Sequence, residues 1–291
     1  MNKLYAKNGN LLSTQETILS ETMNHYKTLY SEKQVEDVCL NEEIFETFAI
    51  KKLSNTEQKQ IEGNLTYEEM LNSLKRMKND SSPGNSGFTT AFYIFFWIYL
   101  GHFLVRSVNE SFASEELSPT FKQGATCIPK GNKDKLFLKN WRPISLLNVS
   151  YKIASGAIAG RLKPILGKII NEDQTGFLSG RYIGENIRII YDVMFYTEKH
   201  NQPGMLLLLD FATAFDSLAW SFMYKVLHFF NFGGKFIKWI RLFYSNIVSC
   251  VTVNGHLSDW FNVRRSVRQG DPMSPYLFIL CAEILSILIN Q

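Results

Sequence analysis

Apolar positions recur along the chain with two periods, and their alternation lays out the elements. Ile18, Leu19, Met23, Tyr26 and Tyr30 share one face at helical spacing, behind Ser13-Thr14-Gln15-Glu16, a capping box with Ser13 at the cap. The signature returns at Ser54-Asn55-Thr56-Glu57 and at Thr66-Tyr67-Glu68-Glu69, the second followed by Met70, Leu71, Leu74 and Met77 at helical spacing. Ala91 to Val105 is the most apolar run; it is too short for a confident membrane span, contains His102, and predicts a buried helix. Further helices are expected over residues 150–166, 183–197, 218–230, 234–246 and 273–291. Residues 31–50 are acidic and mixed, a connector with a short helix. A short strand is expected over 124–130. Residues 249–253 and 259–264 flank Asn254-Gly255, a strong hairpin signal. The centre of the pattern is Leu206 to Leu209. This run opens after Pro203-Gly204, stops on Asp210, and predicts a fully buried strand.

Composition fits a globular chain: 291 residues, 45% hydrophobic and 20% charged, enough for a core. The charge is uneven. Residues 1–80 hold 10 Lys/Arg against 13 Asp/Glu, and residues 81–291 hold 21 against 14, so the basic excess lies with the Asp210 run. That balance fits a phosphate-rich partner and is weak evidence alone. Cys39, Cys127, Cys250 and Cys281 are far apart, without zinc-ligand spacing, and read as reduced thiols of an intracellular protein. The polar N-terminus shows no signal peptide, and no membrane partner is expected.

A carboxylate at the end of a buried strand is costly unless something compensates it. A bound cation is one compensation for Asp210, and a hydrogen-bonded cap on the next turn is another; Asp216 reads as the cap of the helix that follows. An aspartate-nucleophile phosphatase also places an acid after an apolar strand, but it needs a second acid two residues on, where this chain has Ala212. Ser81 to Gly87 is a breaker cluster that reads as a turn. It lacks the lysine of a phosphate-cradling P-loop. Lys130, Lys133, Lys135, Lys139 and Arg142 form a basic cluster interleaved with Phe137 and Trp141, which raises the odds of a fixed phosphate-facing loop over a merely solvated face.

Three blocks carry a resemblance: KNWRPISLLN (139–148), LLLLDFATAFDS (206–217) and VRQGDPMSPYLF (267–278), with DQTGFLSGRYIGENIR (173–188) between the first two. In that order and spacing they resemble the reverse transcriptase of LINE-type non-LTR retrotransposons, and the likeness covers nearly the whole chain. It implies an α+β fold: the fingers and partial palm of a right-hand polymerase, helix-rich with a small antiparallel palm sheet. Residues 1–80 would be a helical N-terminal extension, 81–200 fingers and upper palm, and 201–291 a partial palm. It implies RNA-directed DNA synthesis from a DNA primer on an RNA template, with deoxynucleoside triphosphates and two magnesium ions.

The resemblance also implies residue roles. Asp210 matches the first palm carboxylate, a metal ligand, with the Phe211 carbonyl as a second oxygen. Phe215 matches the steric-gate aromatic that excludes a ribose 2′-hydroxyl. Lys130 and Arg142 match the cations over the triphosphate. Gln269 matches a nucleotide contact, and Gly270 and Arg161 template–primer contacts. The family's later Phe/Tyr-Ala-Asp-Asp sequence does not occur in these 291 residues. The resemblance therefore implies an incomplete metal site, poor solubility and no polymerase activity for the chain alone, with a non-catalytic nucleic-acid-binding fragment as the alternative. Ala212 and Thr213 stand where the family usually has an acid and a lysine, Ser266 where it commonly has glycine, and Ser86 where it has aspartate.

Overall fold

The computed structural model describes residues 1–31, 51–79, 81–127, 134–211 and 213–289. The expected connector of residues 31–50 lies outside these but for Ser31.

A short antiparallel pair, β1 (Leu4–Tyr5) and β2 (Leu11–Leu12), leads into α1 (Gln15–Leu29). The cap of α1 is Thr14, one residue later than expected, whose side chain accepts from the Thr17 backbone N–H. The other two capping boxes form as expected. Ser54 caps α2 (Asn55–Ile61) with Glu57 reaching back, and Thr66 caps α3 (Tyr67–Lys75) with Glu69 reaching back. Each supplies partners for otherwise orphaned N–H groups of the first turn. Next come α4 (Thr90–Ser114), α5 (Pro119–Lys122), β3 (Gln123–Cys127), β4 (Ile144–Leu147) and α6 (Val149–Ile169). The order closes with α7 (Gly184–Lys199), α8 (Trp220–Phe229), α9 (Gly234–Phe243), β5 (Val248–Val253), β6 (His256–Leu257), β7 (Phe261–Asn262) and α10 (Ser274–Ile289).

Helix α6 runs through the core, burying Tyr151, Ile153, Ile158, Leu162 and Leu166. Its small residues admit α3 closely: a Cβ at Gly156 would strike the Ser73 side chain. The same core cluster takes in Leu4 and Ile18 near the N-terminus, Trp239 and Phe243 from α9, and Leu277 and Ile284 from α10.

The sheet is mixed rather than antiparallel. Its order is β4-β3-β5-β6, with β7 also on β5. β3 pairs antiparallel with β4 (Thr126↔Ser145) and parallel with β5 (Gly124↔Ser249). The long excursion between β3 and β5 makes the parallel pairing possible, since parallel neighbours need a crossover rather than a tight turn. The Asn254-Gly255 hairpin is present, with Asn254 at φ 51° and β6 folding back on β5.

Two expectations about burial fail. Residues 202–211 form no strand, and Leu206 to Leu209 are 56–77% exposed. This run pairs with none of the described strands, so its backbone finds no ladder and its side chains no facing layer. Helix α4 is longer than the run that announced it and only partly buried. Trp97, Gly101 and Val108 face inward, while Phe95, Ile98, Tyr99 and Phe103 are about 70% exposed or more. By length and composition α4 is the one helix among the described residues that could cross a membrane. Helix α7 buries no residue at all.

Candidate functional site

Beyond the exposed leucines the chain turns sharply before α8, and that turn is stitched to residues 266–269. The Val267 N–H donates to the Phe215 carbonyl (2.8 Å) and the Ser266 N–H to the Leu218 carbonyl (2.8 Å). The Trp220 indole N–H donates to the Ser266 carbonyl at 2.8 Å. The Gln269 amide Nε2 donates to Asp216 Oδ2 at 3.0 Å. Ser266 adopts φ 90°, a region suited to glycine, to make these contacts.

The far side of this segment lies on the sheet. The Ser145 N–H of β4 donates to the Gln269 carbonyl at 2.9 Å. Gly270, at φ 104°, sits so close to β4 that a Cβ there would be 2.9 Å from the Ser145 carbonyl oxygen. Thr126 and Ser249 hydrogen-bond across β3 and β5 (2.9 Å) and line the same recess as Ser145, Gln269 and Asp216. Of the residues singled out by sequence, the structure thus brings together Phe215, Gln269 and Gly270. The Phe215 ring is half-buried, 5.1 Å from the Phe278 ring of α10.

The other residues lie elsewhere. Arg142 is exposed just ahead of β4. Lys130 and Lys133 lie outside the described residues. Asp210 is exposed, and Phe211 packs edge-on against Phe278 at 5.7 Å, opening an apolar cavity of about 480 Å³ between that segment, α8 and α10. Arg161 is turned into the protein. Its guanidinium pairs with Glu69 and donates to the carbonyls of Ile61, Gly63 and Asn64, so its N–H groups are consumed in holding α2 and α3 to α6.

Asp216 does not cap α8, whose N-cap is Ala219. It is a buried carboxylate that accepts from the Tyr30 hydroxyl at 3.1 Å as well as from Gln269. Burial pushes its pKa up to about 6, against the pull of those two donors and of nearby Arg265. Arg265 donates from Nε to the Leu29 carbonyl at the C-terminal end of α1 (2.7 Å), a favourable place for a cation. Arg268 is buried beside Tyr151 and donates to the Lys122 carbonyl. Asp271, fully buried near it, accepts from the Tyr151 hydroxyl and the Met273 N–H, and burial raises its pKa. Sequence pattern missed Tyr30 and the inward turn of Asp216. The available signal was an acid directly after an aromatic in an otherwise apolar stretch; nothing in the sequence pointed to Tyr30 as its partner.

No group of three or more His, Cys, Asp or Glu side chains that could hold a metal ion occurs among the described residues. One exposed carboxylate at Asp210 and a neighbouring carbonyl fall short of the oxygen set that magnesium takes. The described residues do not fit a two-magnesium centre.

Residues 128–291 match the family described as reverse transcriptase (RNA-dependent DNA polymerase). Among curated proteins, the chain is 30% identical over 289 residues to the transposon TX1 uncharacterized 149 kDa protein of Xenopus laevis, covering 99% of this chain and 22% of that one. It is 31% identical over 149 residues to the retrovirus-related Pol polyprotein from type-2 retrotransposable element R2DM of Drosophila melanogaster, covering 50% of this chain and 14% of that one. The chain therefore spans about a fifth or less of the length of these two relatives.

Proposed function

Because the chain belongs to the reverse transcriptase (RNA-dependent DNA polymerase) family, in its LINE-type non-LTR retrotransposon branch, we propose that it forms the fingers and most of the palm of a right-hand polymerase. In this reading the sugar and base of a deoxynucleoside triphosphate lie over the mouth of the narrow recess between the Phe215 turn and β4, not inside it. Phe215 excludes a 2′-hydroxyl, Gln269 and Gly270 pack against the base pair, and Arg142 with Lys130 meets the triphosphate. The observation that carries the reading is that the Phe215–Asp216 turn is hydrogen-bonded to Val267 and Gln269, and that the same segment lies on β4 through Gln269 and Gly270. Three residues assigned separately from sequence are thereby brought together.

The family's chemistry draws on a divalent metal, and Asp210 is the residue offered for it; two magnesium ions would need further oxygen ligands. That favours keeping a second reading, a nucleic-acid-binding unit without its own catalysis, on the ground that the described residues hold no acidic cluster.

The test is binding of the purified chain to a labelled RNA–DNA hybrid across a salt series, with primer extension run on the same sample. Affinity should fall log-linearly with salt. Arg142→Ala should weaken deoxynucleotide competition, whereas Arg161→Ala should leave the salt slope unchanged, because that guanidinium is spent inside the protein. Primer extension above background would retire the non-catalytic reading. Salt-insensitive binding, or none, would sink both.

A further inference from the structure

Asp216 is a buried acid to which sequence pattern assigned only a capping role, and its surroundings are unlike those of a cap. One carboxylate oxygen faces Tyr30 at the end of α1, and the other faces the Gln269 amide. The residues facing it come from two directions. From α1 and its end these are Tyr26 and Tyr30, both buried; from the 264–269 segment they are Arg265 and Gln269. Among the described residues the Tyr26 hydroxyl has no hydrogen-bond partner. The same segment is tied to the end of α1 twice more, by the Arg264 N–H on the Tyr30 carbonyl (2.9 Å) and by Arg265 on the Leu29 carbonyl. Asp216 adjoins Phe215 in sequence, so one side chain touches the end of α1, the turn that carries the aromatic gate, and the amide that would meet a nucleotide.

We propose that Asp216 is a positioning residue: it orients the Gln269 side-chain amide toward the nucleotide recess and links that orientation to the seating of helix α1 through Tyr30. The role of the recess rests on the function proposed above; the link between Tyr30, Asp216 and Gln269 does not. Two donors converge on one carboxylate, which fixes the amide's rotation. A neutral amide at position 216 can still serve, its oxygen accepting from Gln269 while its nitrogen donates to the Tyr30 hydroxyl. An alanine leaves the Gln269 amide free to turn.

The experiment is NMR of the full chain labelled with 15N-glutamine, the Gln269 side-chain signal being assigned by its loss in Gln269→Ala. Tyr30→Phe should shift that signal and speed its solvent exchange without changing the melting temperature by more than a few degrees. Asp216→Ala should move it to the position of a solvated amide, and Asp216→Asn should restore most of the native shift. If Asp216→Ala does not fold, the Tyr30→Phe and Asp216→Asn arms decide. An unmoved Gln269 signal in Tyr30→Phe overturns the proposal, as does an Asp216→Asn signal like that of a solvated amide. Adding dGTP tests the underlying reading separately. A perturbed Gln269 signal supports the mouth of the recess as a nucleotide site, and an indifferent one removes that role while the variant arms still decide the link.

Discussion

Asp216 carries a charge that its surroundings resist. In the unfolded chain it ionises near its ordinary value of 3.8, whereas in the folded protein it holds its proton up to about 6. Between those values the unfolded state binds fewer protons than the native state, so stability falls as pH rises through the window and levels off above it. The drop is on the order of 2–3 kcal/mol. Asp216→Asn should flatten that part of the curve, read as urea midpoints between about pH 4 and pH 7; an unchanged slope would mean the carboxylate is not the cause. Ser266 makes a second case at this scale. A side chain at φ 90° is strained, and it persists because the backbone on both sides is held to Leu218 and Phe215. Ser266→Gly should therefore raise stability by about 1 kcal/mol, whereas glycine at an unstrained position lowers it. A destabilised Ser266→Gly protein would show that the serine side chain contributes more than its backbone costs. The strain explains in physical terms why glycine suits this position.

At the scale of elements, local chemistry was readable and partnership was not. The boxes at Ser54 and Thr66 and the Asn254-Gly255 turn are fixed by residues within a few positions of one another, and each appears where the pattern put it. Burial depends on what lies opposite, which no local pattern encodes. Leu206 to Leu209 and the helix α7 both have the apolar content of packed elements, yet both face solvent, with Ile187, Tyr191 and Phe195 of α7 each more than half exposed. Hydrogen exchange should separate these regions. Amides from 184 to 211 should exchange early, since few buried contacts hold them, while those of α6 should be among the slowest. Slow exchange across Leu206–Leu209 in the isolated chain would mean the run is covered after all. The same surface argues that the chain self-associates readily, as unpaired apolar segments do.

For the whole molecule, the feature that decides behaviour is that one core draws on both ends of the described chain. Leu4, Ile61, Leu162, Trp239 and Ile284 belong to a single buried cluster. Unfolding in urea should accordingly follow one transition, with the fluorescence of buried Trp97 and Trp239 and the far-UV circular dichroism changing together. Two separated transitions would show that the segments fold independently. The α+β class came from the resemblance carried by the three blocks, while the periods along the chain announced most of the individual helices. The mixed sheet was not legible, because β3 and β5 come from distant stretches and neither advertises the other. The recess beside β4 was legible in part: Phe215, Gln269 and Gly270 were named from their blocks, but the bond from Gln269 to Asp216 next to Phe215 emerged only in the fold.

The parallel pairing of β3 with β5 also sets a clock. The Ser249 hydroxyl reaches the Gly124 carbonyl across 125 residues of sequence. At a synthesis rate of roughly 5–20 residues per second, β3 waits about 6–25 seconds on the ribosome before its partner exists. During that interval one long edge of β3 and the aromatic flank of α4 stand open together. A nascent chain of this design depends on what shields it while it is being made, so its yield in a cell should respond to holdase chaperones and to translation speed more than to the stability of the finished fold.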